Sequence, residues 1–154
     1  MNDEQRFKVL VAGRSCHGGD LAWSLPTPND DGTWTPGDWH TVAGDLRLCK
    51  VGLHLTTEPA RWLLVGCEAY RAEGERPGRR DGDKQVFGRV RLLAPAPEAI
   101  PVWWRRVETF VRDDLPRWEA ALGGRPDVTI RVYPDADHFF VSGSGPSRPL
   151  SPWT

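Results

Sequence analysis

The stretch from Leu25 to Asp45 limits the fold more than any other part of the chain. Its Pro, Gly, Asn, Asp and Thr residues supply turn chemistry and follow neither the two-residue period of a strand nor the 3.6-residue period of a helix. An irregular connection of this length is uncommon unless it is functional, and we read it as a lid. Regular elements therefore fall on either side of it. Phe7 to Ala12 reads as a first strand that ends in the loop Gly13-Arg14-Ser15-Cys16-His17-Gly18-Gly19, whose glycines let backbone approach a ligand closely. Val51 to Thr56 reads as a short buried strand. Thr57-Glu58-Pro59 then supplies a capping hydroxyl, an acid and an early proline, which predicts a helix to about Val65 that Gly66 closes.

Ala69 to Glu73 reads as another strand, followed by a mobile polar loop from Gly74 to Asp83 that carries Arg76, Arg79 and Arg80. Gln85 to Leu93 alternates as a half-buried strand does. Pro95, Pro97 and Pro101 mark a connector. Beyond it Trp103, Trp104, Val107, Phe110 and Val111 recur at three- and four-residue spacing, which predicts a helix with that face toward the core. Pro116 breaks or restarts it, and Gly123-Gly124 ends a second helical piece with Trp118 and Leu122. Val128 to Tyr133 reads as a strand, and the tail from Ser142 as loop. The expectation is an α+β fold: a single small domain over residues 1–154, with a largely antiparallel twisted sheet and two or three helices. Residues 7–94 form its core and residues 95–154 a helix-strand extension.

With 39% apolar and 27% charged residues, the chain fits a folded globule, and no stretch approaches the roughly 20 apolar residues of a membrane span. The polar start, Met1 to Arg6, lacks the apolar core of a signal peptide, so the expectation is a cytoplasmic protein with no membrane partner. A net charge of -1 argues against nucleic acid as a partner bound through bulk charge. Cys16, Cys49 and Cys67 read as reduced thiols or metal ligands. Of the eight tryptophans, most read as core; Trp34, in the turn-rich stretch, is a candidate to stack on a flat ligand.

About residues 7–94, the landmarks Gly13 to Gly19, Trp23 with Leu25-Pro26, Cys49-Lys50-Val51-Gly52-Leu53-His54-Leu55, Tyr70-Arg71-Ala72-Glu73 and Asp83-Lys84 together resemble an uncharacterised small domain family of bacteria and phages, which brings no activity with it. Roughly Leu115 to Pro149, with Arg117-Trp118-Glu119-Ala120-Ala121-Leu122 before Val128 to Tyr133 and Asp137-His138-Phe139-Phe140, resembles the C-terminal end of an α/β-hydrolase. That resemblance implies His138 as a catalytic base. The nucleophile elbow of that fold is missing, since Gly18 follows Ser15 one residue too late for the G-x-S-x-G turn, and His138 reads as structural.

His17-Gly18-Gly19 after the first strand, with Gly52-Leu53-His54-Leu55-Thr56-Thr57 before the next helix, looks like ADP-ribosyltransferase architecture. The resemblance implies a nucleotide-like ligand, NAD, with His17 on its ribose and His54 against nicotinamide. It also implies an acid that stabilises an oxocarbenium-like transition state. Glu73, Asp81 and Asp83 are the candidates, and Asp83 is the one assigned. Arg14, Ser15, Gly18, Gly19, Thr56 and Trp34 complete the expected ligand contacts. Three alternatives stand beside this reading. His17 and His54 make structural hydrogen bonds that hold the Gly-rich turn; Cys16, Cys49 and His54 bind zinc; or the domain is a non-catalytic module for protein or nucleic-acid interaction.

Overall fold

The computed structural model describes residues 4–122 and residue 125. Two compact units divide the chain, residues 1–111 and residues 112–154, and the whole sheet lies in the first. Its strands are β1 (Arg6–Val11), β2 (Thr27–Pro28), β3 (Trp34–Thr35), β4 (His40–Thr41), β5 (Leu53–Thr56), β6 (Cys67–Asp81) and β7 (Lys84–Pro95), with single 3-10 turns at Pro59–Arg61 and Pro97–Ala99. Helix α1 spans Val102–Thr109. A π-helical segment comes next at Phe110–Asp114, and helix α2 spans Leu115–Leu122 in the second unit. The class is α+β with an antiparallel main sheet, as the sequence predicts.

Five strands run in the order β4-β7-β5-β1-β6, and β6 pairs with β7 again. The ladders β7–β5, β5–β1, β1–β6 and β6–β7 therefore close a small ring, all antiparallel. Alternation sorts the side chains. Leu10 of β1, Leu53 and Leu55 of β5, and Phe87, Val90 and Leu92 of β7 meet Trp23, Tyr70 and Ala72 in one buried cluster. Val9, one residue from Leu10, joins Cys67, Ala69, Ala96 and Ile100 in a second, under which Trp62 and Trp104 also pack. Fully buried side chains such as Phe87, Leu10 and Leu55 contribute roughly 1.5–3 kcal/mol each.

The β6–β7 hairpin carries two register shifts, between Arg71 and Ala72 and between Pro77 and Arg80. Such irregularities bend a strand and increase its twist, which a ring this small requires. Gly74 of β6 lies flat against the Phe87 ring: a Cβ there would stand 2.4 Å from Phe87 Cδ1. Gly52, before β5, combines a φ of +128° with a would-be Cβ contact of 2.3 Å to Val86. Only glycine fits both places.

Four expectations are corrected. The polar segment from Gly74 to Asp81 is not a loop but the outer half of β6, its exposed side chains held by the ladder to β7 rather than by burial. The helix predicted from Thr57 to Val65 is only the 3-10 turn at Pro59–Arg61. The lid segment is pinned: β2 and β3 form a two-stranded hairpin, β4 pairs with β7, and the Gly37 N–H donates to the Leu92 carbonyl at 3.0 Å. The helix face expected in the core is largely outside it, with Trp103 46% and Phe110 48% exposed, whereas Trp104 packs inward. The strand predicted at Val128 to Tyr133, and His138, lie outside the described residues.

Gly74→Ala is expected to destabilise the fold by about 1–3 kcal/mol, the usual effect of forcing extra carbon into a packed core. The midpoint of urea unfolding measures it, and Gly74→Ala combined with Phe87→Leu should recover part of the loss.

Candidate functional site

Strand β1 pairs with β6 over six residues but with β5 only at Phe7↔Thr56. Beyond that point β1 and β5 diverge, and the gap opens into a cleft of about 520 Å³, within the usual range for small-molecule sites. Its remaining walls are the Gly-rich loop after β1, the turn from Cys49 to Gly52, and Trp62 beyond β5.

The loop is built by hydrogen bonds of its own. The Val11 and Arg14 backbones exchange bonds at 3.0 Å, the Ser15 N–H donates to the Leu21 carbonyl, and the Trp23 N–H donates to the Gly13 carbonyl. Ser15 Oγ accepts from the indole N–H of buried Trp23 at 2.9 Å, so its hydroxyl is tied to the wall. His17 stands at the loop tip, where Nε2–H donates to the Trp62 carbonyl at 2.8 Å and the imidazole meets the Trp62 ring edge-on. That bond leaves Nδ1 as an acceptor when the ring is neutral.

His54 is placed by β5. The Cys49 N–H donates to its Nε2 at 2.9 Å, so the proton of the neutral ring sits on Nδ1. Cys49 adopts φ +60° to make this contact, a left-handed conformation uncommon for a residue with a side chain. Burial lowers the His54 pKa, and the positive charges of Lys8 and Lys84 lower it further.

That the lysines gather in one place is the feature that sequence reasoning missed. The chain has three lysines among its 20 basic Lys and Arg residues, and all three, Lys8, Lys50 and Lys84, line this cleft. Lys8 donates to the His54 carbonyl at 3.3 Å across the gap, with Nζ 5.3 Å from the centre of the Trp23 ring. Desolvation pulls its ammonium down to about 8. Lys84 donates to Cys49 Sγ at 3.0 Å and sits 4.9 Å over the Trp62 ring. No Asp or Glu is among the described residues that line the cleft. The scarcity of lysine was the available signal.

Asp83, expected as the catalytic acid, sits in the β6–β7 turn and is not part of the cleft wall. Its carboxylate is 8% exposed and saturated: Thr56 Oγ1 donates to Oδ2 at 2.6 Å, Trp62 Nε1 donates to Oδ2 at 2.7 Å, and Arg61 stands 3.3 Å from Oδ1. Burial pushes its pKa up, but the Thr56 and Trp62 hydrogen bonds and the Arg61 charge outweigh it, and the net shift is downward. The same Thr56 hydroxyl accepts from the Glu58 N–H at 2.9 Å. Asp83 thus ties the hairpin turn to the end of β5 and to Trp62.

Of the expected ligand contacts, Ser15, Gly18, Gly19 and Thr56 line the cleft with His17 and His54. Arg14 does not, its guanidinium lying 3.9 Å from Asp20 on the surface, and Trp34 is exposed on β3 away from it. Cys16, Cys49 and His54 do not form a zinc site: Cys16 Sγ faces the Val9 carbonyl, Cys49 Sγ meets Lys84, and among the described residues no three His, Cys, Asp or Glu side chains gather as metal ligands. No helix among the described residues is long and apolar enough to cross a membrane. No family model, curated protein or solved structure matches the chain.

Both buried contacts can be tested. Asp83→Ala is expected to lower stability by about 1–3 kcal/mol for each donor left unsatisfied, read from urea unfolding; an unchanged midpoint would show that the carboxylate is not an anchor. For His54, a folded-state pKa below the unfolded 6.5 means that the unfolded chain takes up the proton first. Stability is therefore full above pH 6.5 and falls as the pH drops through that value toward the folded pKa. Wild-type protein should lose more thermal stability between pH 7.5 and pH 5.5 than His54→Gln, as followed by circular dichroism.

Proposed function

We propose that the domain binds a small, phosphate-bearing, nucleotide-like ligand in the cleft between β1 and β5. The observation that carries this reading is charge: three lysines face one cavity with no lining carboxylate, so the cavity presents positive charge that an anion relieves. The left-handed Gly18, with nothing within 4 Å of a Cβ position, leaves room for backbone to approach such a group. Trp62 and Trp23 supply aromatic surface at the wall. NAD is the first ligand to try, on the resemblance of the His17 and His54 segments to ADP-ribosyltransferases. Because Asp83 is committed to structure, the proposal is binding rather than transfer of ADP-ribose.

Nucleic acid is the weaker reading, because three arginines of the β6–β7 hairpin are matched with acids. Arg80 makes a two-pronged contact with Glu4, Arg89 pairs with Glu75 and Arg91 with Glu73, and both Arg89 and Arg91 lie over Trp39.

The test is thermal shift and calorimetry with NAD, ADP, pyrophosphate and, as the uncharged control, adenosine. At about 100 times Kd a ligand raises stability by ~2.7 kcal/mol. We expect the phosphate-bearing ligands to stabilise, adenosine to do nothing, added salt to weaken binding, and Lys84→Gln to reduce affinity about tenfold. No shift with any anion at millimolar concentration would end the proposal. Equal affinity for NAD and ADP would keep it and remove nicotinamide from the site.

A further inference from the structure

Lysine differs from arginine in one chemical respect that this cleft brings forward: an ammonium can release its proton and become a nucleophile, whereas a guanidinium stays charged. None of the arginines among the described residues lines the cleft, and all three lysines do. They are not equivalent. Lys50 is exposed and Lys84 is engaged with the Cys49 thiol and the Trp62 ring. Lys8 points from β1 to the same side as Leu10, inward, and Trp23 covers it. Its hydrogen-bond acceptor is the backbone carbonyl of His54, and among the described residues no carboxylate forms an ion pair with it. No carboxylate holds its proton, and burial outweighs the neighbouring Cys16 sulfur, whose charge would favour the ammonium.

We infer that Lys8 is a nucleophilic amine that captures the carbonyl of a phosphate-bearing aldehyde as an imine, while Lys50 and Lys84 hold the phosphate. This rests on the reading of the cleft as an anion site and narrows its ligand to one that also carries a carbonyl, as an open-chain sugar phosphate does. The burial that lowers the Lys8 ammonium to about 8 leaves an appreciable fraction of free amine near neutral pH. That amine adds its lone pair to the carbonyl carbon, and one N–H proton passes to the carbonyl oxygen. The second N–H proton goes to the departing hydroxyl, water leaves, and a C=N bond remains. Atoms and electrons balance without oxidant or reductant.

The probe is pyridoxal 5′-phosphate, an aldehyde and a phosphate in one molecule, added in slight excess to the full chain and trapped with borohydride, which reduces the imine to a stable secondary amine. Its non-carbonyl counterpart, pyridoxine 5′-phosphate, is titrated in parallel by calorimetry. We expect about one equivalent of label, at Lys8 by peptide mass mapping, formed at least tenfold faster than at Lys50 or Lys84 and suppressed by pyridoxine 5′-phosphate. Lys8→Arg should lose the label. Circular dichroism of that variant shows that it is folded, and labelling kinetics of the wild type decide the question independently of it. Label spread over Lys50 and Lys84 with Lys8 unmodified would overturn the inference even where pyridoxine 5′-phosphate binds, leaving the anion site standing. Failure of both phosphates to bind would overturn the inference, and the anion site falls with it where NAD, ADP and pyrophosphate also fail.

Discussion

Strand β7 is hydrogen-bonded along both edges, and the rest of the molecule depends on that. One edge carries β6 along nearly its whole length; the other carries β5 at Lys84 to Phe87 and β4 at Arg89 to Val90. The sheet also curls, so that β6 meets β1 and β1 meets β5. Curling brings the interior faces so close that β6 has a glycine, Gly74, against the Phe87 ring, with register shifts on either side of it. Closure is also incomplete by necessity. The last ladder of the ring, β1 with β5, has one register pair, and the cleft occupies the space where further pairs would lie. The cavity and the ring thus have one geometric origin.

The same constraint explains why the fold was partly legible in the sequence and where it was not. β1, β5 and the inner half of β7 carry apolar residues at strand spacing, and they stand where the pattern predicts them. The outer half of β6, Gly74 to Asp81, has no apolar alternation, because the positions that pack against Phe87 and Val86 are the glycines Gly74 and Gly78; its ladder to β7 makes it a strand. β4 has two residues and no local signal at all. Around Thr57 the expected capping chemistry is present, but in a different structure. The hydroxyl that meets the Glu58 N–H belongs to Thr56 and also serves Asp83, and the segment after it makes one 3-10 turn. Propensity identifies the turn; the tertiary hydrogen bonds fix its length.

The site divides in the same way. His17, His54 and the two glycines were legible because strand ends converge at one end of a closed sheet, so residues just after β1 and within β5 meet. Lys8, Lys50 and Lys84 were not, since each stands alone in its own segment and no spacing links them. Asp83 matters for a different reason from the expected one. A carboxylate downstream of two histidines resembles a catalytic acid in sequence, yet Thr56, Trp62 and Arg61 engage both of its oxygens, and it does not line the cleft.

The two halves of the molecule's electrostatics are therefore opposite in kind. At Asp83 a buried charge is matched group by group, which is how a fold retains a charge without a ligand. In the cleft, 520 Å³ of cavity is faced by lysines whose nearest partners are a carbonyl, a thiol and two aromatic rings. Aromatic faces and a carbonyl favour the ammonium groups, but by less than a carboxylate would. On the hairpin surface, by contrast, several arginines are matched with acids, as at Glu4–Arg80, Glu75–Arg89 and Glu73–Arg91. Leaving the lysines without acids costs stability, and His54 shares that cost through its lowered pKa. A folded protein tolerates such a deficit where binding an anion removes it, and the deficit in this molecule is confined to the one gap that ring closure leaves open.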